Sequence, residues 1–218
     1  NIKEAVKLYN EQVKIWNLSI SITRPVSDNK FSDFAIALDA LQDEYNVLIC
    51  KSAGNCRNFE SSRPKGRVHE GADSIRSLVV GSFAHKKGTY DYAEVNDPSP
   101  FSRVGPGPEF IIKPEVSHYG GNAGVDPLGN TVTTGVKSFA KDGTLAQGVG
   151  TSFSTPRITA LAAGIQQELS EDFDPLLLKS LITHSASYPR EMTVPSIERA
   201  KQVGFGLPKS VSEIIYNS

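Results

Sequence analysis

The sequence predicts an α/β fold in three layers, a mostly parallel sheet flanked by helices, in one domain over residues 1 to 218. Two observations carry this. Segments with helical apolar spacing alternate with short runs of branched apolar residues, and the order helix, strand, helix, strand implies parallel pairing through right-handed crossovers. Further on, the glycine-rich turn Gly148-Val149-Gly150-Thr151-Ser152 opens onto a helix of small residues, Ala160, Ala162, Ala163 and Gly164, able to pack closely against its neighbours.

The elements follow in order. Ile2, Ala5, Val6, Leu8 and Tyr9 form a helical stripe over residues 1 to 12, with no proline or glycine to break it. Residues 13 to 19 are β-branched and aromatic enough for a strand, followed by a polar loop through Pro25 to Lys30. Helical spacing returns from Phe31 to Tyr45 through Phe34, Ala35, Leu38 and Leu41, and Asn46 to Cys50 reads as a strand covered on both faces. The polar stretch from 56 to 73, with Arg57, Arg63, Lys65, Arg67 and His69, reads as a solvated surface loop. Ser77 to Phe83 is the next strand, and residues 121 to 147 form a hairpin or an irregular loop. A helix starts near Ser152 with Pro156 in its first turn, where no N–H is missed. Asp174-Pro175 caps and starts another, and a turn at Gly204 to Pro208 precedes a final helix from about Lys209.

Composition bounds the function. A chain with 39% hydrophobic and 22% charged residues is ordinary for a globular protein, and Lys+Arg 23 against Asp+Glu 24 leaves no basic footprint for nucleic acid or a membrane surface. No apolar run approaches the roughly 18 residues that span a bilayer. The chain begins at Asn1 and its only methionine is Met192, so a fragment or a processed product is expected and localisation stays open. Cys50 and Cys56 are neither a disulfide framework nor a metal-ligand pattern; two free thiols or one local disulfide both fit. No metal or cofactor is implied.

The candidate chemistry sits at Ser152. A serine hydroxyl attacks carbonyls poorly unless held at a fixed, accessible point, and a turn opening a helix supplies one, with N–H groups lacking intrahelical partners and a positive dipole end nearby. A second candidate is Asn55, where an apolar strand runs into Ala53-Gly54-Asn55 at the edge where α/β sheets bind ligands.

Gly150-Thr151-Ser152-Phe153-Ser154-Thr155-Pro156 resembles the nucleophile motif of the subtilisin-like serine proteases, the subtilases, Gly-Thr-Ser-x-Ala-x-Pro, with Ser154 in place of alanine. The resemblance implies a subtilisin-like fold and peptide-bond hydrolysis through an acyl-enzyme on Ser152, with a polypeptide as substrate. It makes Asn55 the side chain that donates to the oxyanion. Asn17-Leu18-Ser19 is similar to the family's Asn-x-Ser-Leu-Gly, so Ser19, Ile20 and Ser21 are expected to line one wall of the specificity pocket, with Ala53 and Gly54 also touching substrate. Ser21 stands where the family usually has glycine. Phe101 to Pro106, Lys113 to Val116 and Gly204 to Gly206 match further family segments in order, whereas His118-Tyr119-Gly120 replaces the usual Ala-Pro-Gly.

By the same resemblance, the triad's aspartate and histidine precede the oxyanion asparagine, and neither motif is present. The expectation is therefore the N-terminally truncated, C-terminal part of a peptidase domain, whose partner is the missing N-terminal part of the same protein. His69, His85, His118 and His184 have no placed carboxylate to orient them as substitutes. A rival reading is a pseudoprotease, a binding or regulatory module that has lost its base. An α/β-hydrolase esterase is excluded, because Thr151 and Ser154 break Gly-x-Ser-x-Gly.

Overall fold

The computed structural model describes residues 1–169 and 172–216. Its sheet is parallel throughout and ordered β1-β2-β3-β4: β1 Ile15–Leu18, β2 Leu48–Ser52, β3 Leu78–Phe83 and β4 Val116–Tyr119. Leu18 pairs in register with Lys51, and Lys51 with Val79. Three successive parallel neighbours demand crossovers, which is why the connections are long.

The side-chain period of two divides the sheet into faces. Leu48, Cys50, Leu78 and Val80 point to one face and pack on Ile158, Ala162 and Ile165 of α3 (Thr151–Leu169) and Leu178 and Ile182 of α4 (Pro175–Ser185). On the other face, Leu18 and Ile49 meet Val6 of α1 (Ile2–Tyr9) and Leu38 and Leu41 of α2 (Asp33–Tyr45). This is the expected three-layer α/β fold. Fully burying each such side chain contributes about 1.5–3 kcal/mol. Asp174 caps α4 by accepting from Leu176 and Leu177, with Pro175 at its start, as the sequence predicts.

Several expectations need correcting. Residues 67 to 74 are not a surface loop. Val68 and Ala72 pack under the sheet with Val26, Ala53 and Val79, while His69 and Asp73 are buried beside them. Asp73 accepts from the Ser32 backbone N–H and hydroxyl, tying this segment to the front of α2, and so a polar sequence is folded inward by hydrogen bonds. Residues 121 to 147 form two hairpins, β5 Asn122–Val125 with β6 Thr131–Thr134, and β7 Val136–Phe139 with β8 Leu145–Gly148. His118 lies in strand β4. Pro156 is the sixth residue of α3, so it does remove an N–H, the one that would meet the Ser152 carbonyl. A helix that the sequence reading missed, α5 (Ser196–Val203), precedes the Gly204 turn, and α6 (Val211–Tyr216) follows it. Both cysteines are buried and free.

Candidate active site

The C-terminal ends of β2 and β4 and the front of α3 meet at one point. Beyond β2, the Ala53 N–H donates to Val80 O at 2.9 Å, Gly54 turns the chain at φ +97°, and Asn55 emerges exposed. The Asn55 carbonyl accepts from Arg103 Nε at 2.9 Å, which fixes the backbone from behind. Beyond β4, the Gly120 carbonyl accepts from the Gly150 N–H at 2.9 Å and anchors the turn that opens α3. Gly150 sits at φ +134°, and a Cβ there would stand 3.0 Å from Asn55 Nδ2, so the position needs glycine twice over.

Thr151 joins the two segments. Its backbone N–H donates to Asn55 Oδ1 at 2.9 Å, its hydroxyl donates to the same oxygen at 3.2 Å, and Gly54 N–H donates to that hydroxyl at 3.2 Å. The amide orientation of Asn55 follows: with Oδ1 taken by Thr151, Nδ2 is turned to the exposed side as a donor. Ser152, half-buried, is the second residue of α3, where a backbone N–H has no intrahelical acceptor. The site thus offers a hydroxyl, a side-chain amide donor and a helix N-terminus, with the positive dipole end beside them. Such donors favour a developing negative oxygen.

Ser19, Ile20 and Ser21 leave the end of β1 beside the Ala53-Gly54 segment, as the register of Leu18 with Lys51 requires. Ser19 and Ser21 are half-buried, Ile20 is exposed, and Ala53 and Gly54 are buried. The two segments do approach each other: Ser21 Oγ lies 3.5 Å from the point where a Gly54 Cβ would stand.

The histidines are dispersed. His69 is buried behind Gly54, and burial, then Arg103, then Lys51 push its pKa down to about 4. His118 accepts the Tyr119 N–H at Nδ1, and burial and Arg157 bring it to about 4. His85 follows β3, and His184 lies in the last turn of α4. Among the described residues no histidine hydrogen-bonds Ser152, and no group of three or more His, Cys, Asp or Glu is placed to hold a metal. No described helix is long and apolar enough to cross a membrane. Sequence reasoning gave no role to Thr151 or Arg103. Thr151 was legible as a hydroxyl next to the nucleophile candidate, whereas nothing in the spacing places Arg103 behind Asn55.

The family model for the subtilase family matches residues 1–206. The uncharacterized protein y4bN of Sinorhizobium fredii (strain NBRC 101917 / NGR234) is 28% identical over 96% of this chain, which spans 56% of that protein's length. Among solved structures, the prenylagaramide maturation protease PagA superposes with a TM-score of 0.67 at 19% identity, over 99% of this chain and 66% of its own. A cold adapted subtilisin-like serine proteinase gives 0.60 at 18% identity, over 95% of this chain and 60% of its own. The first likeness is decisive for kinship and the latter two for the fold: this chain belongs to the subtilase family.

Proposed function

We propose that this chain is the C-terminal part of a serine endopeptidase domain and cleaves polypeptides through an acyl-enzyme on Ser152. One observation carries the reading. Thr151 occupies Asn55 Oδ1, which turns the Asn55 NH2 group outward beside the same turn that presents Ser152. In the reaction the Ser152 Oγ adds to the scissile carbonyl and loses its proton to a base. The resulting oxyanion is held by Asn55 Nδ2 and the Ser152 N–H, collapse expels the amine, and water then releases the acyl group. A side-chain donor of this kind is worth about 3 to 4 kcal/mol in the transition state. The Asp and His of the triad come from the N-terminal part of the same protein, which is this chain's partner, and the chain alone is nearly inert.

A second reading, a pseudoprotease that binds without cleaving, draws on the absence of a histidine bonded to Ser152 among the described residues. The two part on one experiment. The intact protein is treated with a fluorophosphonate and assayed on a casein digest: labelling and cleavage together support the peptidase. A folded protein that does neither supports the binding module.

A further inference from the structure

Lys51 stands in β2, a strand that is otherwise largely apolar, and its side chain has no exposure to solvent. Burying an ammonium is costly unless the fold makes use of it. Its hydrogen bond goes to the next residue: Nζ donates to the Ser52 carbonyl at 2.8 Å. The ladder explains why that carbonyl needs a donor. Alternate residues of β2 face alternate neighbours, since the Leu48 N–H donates to Lys14 O just before β1 and the Ala53 N–H donates to Val80 O of β3. Ser52 therefore turns its carbonyl toward β1. That strand ends at Leu18, which pairs with Lys51, so no strand residue lies opposite Ser52. Lys51 supplies the bond that the shorter strand leaves unmade.

The bond acts at a sensitive place. The Ser52 carbonyl and the Ala53 N–H belong to one planar peptide unit, held by Lys51 on one side and by Val80 O at 2.9 Å on the other. Directly after it come the Gly54 N–H, which donates to Thr151 Oγ1, and then Asn55. We propose that Lys51 is a positioning residue: by holding the Ser52–Ala53 peptide it fixes the turn that aims the Asn55 amide, and its charge makes that aim depend on pH. This rests on the peptidase reading above and adds the regulation of the same site. Burial, opposed by the Asp73 carboxylate, brings the Lys51 ammonium down to about 8. The other titratable groups at this corner are His69, neutral at any pH well above about 4, and the Arg103 guanidinium that acts on His69. As pH rises through about 8, the charged donor becomes a neutral amine and its bond to Ser52 weakens. The same group makes the fold more stable over that range, because the unfolded lysine keeps its proton up to about 10.4 while the folded one releases it first. Positioning and stability thus move in opposite directions.

The test uses the intact protein, a fluorophosphonate directed at Ser152 and a peptide substrate. Between about pH 7 and pH 9 the labelling rate of the natural protein should fall about three- to tenfold. Lys65 and Lys113 are also held near 8, so the limb is assigned by its absence in Lys51→Met. At pH 7, Lys51→Met should lose about 10- to 100-fold in kcat with KM little changed, part of what losing the oxyanion donor outright costs. Placed in Asn55→Ala, the same change should cost almost nothing more, because Lys51 acts through Asn55. A merely structural lysine would cost the same in both backgrounds. An equal loss in both, or a limb that persists in Lys51→Met, overturns the proposal. Should Lys51→Met not fold, the natural protein and Asn55→Ala decide: the limb must be present in the first and absent in the second, and any other pattern overturns the proposal. A folded natural protein that takes no label at any pH overturns the peptidase reading and this one with it.

Discussion

The two ends of the sheet treat polar groups in opposite ways. At the N-terminal end, before β3 and β4, Glu115 is buried with both carboxylate oxygens occupied. Oε2 accepts from Val79 N–H at 2.9 Å, and Oε1 accepts from Lys179 at 2.8 Å and from Lys113. Lys179 also donates to the carbonyls of Ile75 and Ser77. Burial alone would push the Glu115 pKa up, but the two ammonium groups overcome it and hold the carboxyl below its ordinary range. At the C-terminal end, Asn55 has its oxygen bound and, among the described residues, the Ser152 hydroxyl and His69 Nδ1 have no hydrogen-bond partner. Pairing is complete around Glu115 and incomplete around Asn55 and Ser152, where the proposed chemistry lies.

That contrast can be broken from either side. The largest expected effect is Ser152→Ala in the intact protein, which should remove cleavage by about 10⁶-fold in kcat without moving the thermal midpoint; a retained rate would place the nucleophile elsewhere. Glu115→Gln should do the reverse. It leaves two lysines without their buried counter-ion, costs about 3–5 kcal/mol in urea denaturation, and spares labelling of whatever remains folded. Acid should mimic it. Because the folded carboxyl titrates below the unfolded one, its contribution is present above about pH 4 and is lost as pH falls through the folded value. The drop should be shallower in Glu115→Gln, and an equally steep one would mean that other groups carry it. Asn55→Ala comes next, with about 10²–10³ lost in kcat, KM little changed and the fold retained. A large loss of stability instead would make Asn55 structural like Glu115. The smallest effect is Asp174→Ala, which removes a helix cap that belongs to neither end. About 1 kcal/mol, or about 2–4 °C in thermal midpoint, is expected with no change in labelling.

What was legible in the sequence follows the same division. Strands β2 and β3 show as apolar runs because both their faces are covered, and α4 shows because Asp174-Pro175 is a local signal. Ser152 and Asn55 were legible because each lies in a short contiguous string. Their contact through Thr151 was not, since it joins residues 96 positions apart. The segment around His69 misled for a physical reason. Its polarity is matched inward, by Asp73 to Ser32 and to the charge of Lys51, and composition alone cannot tell a polar residue facing water from one facing another polar residue. Helix α5 was missed because it is only eight residues long and its apolar stripe is limited to Ile197, Ala200 and Val203, of which Val203 alone is buried. Pro156 reads as a first-turn residue from local sequence alone, whereas Thr151, whose N–H donates to Asn55 Oδ1, is already the front of α3 and leaves Pro156 inside it.

The central claim is that the incompletely paired end is a catalytic one built on Ser152. Its most direct test is to treat the intact protein with a fluorophosphonate and map the adduct by peptide mass spectrometry. A single phosphonylated peptide carrying the modification on Ser152, absent in Ser152→Ala and slowed in Asn55→Ala, is the predicted result. A folded protein that takes up no label, or takes it on a different serine, would contradict the account.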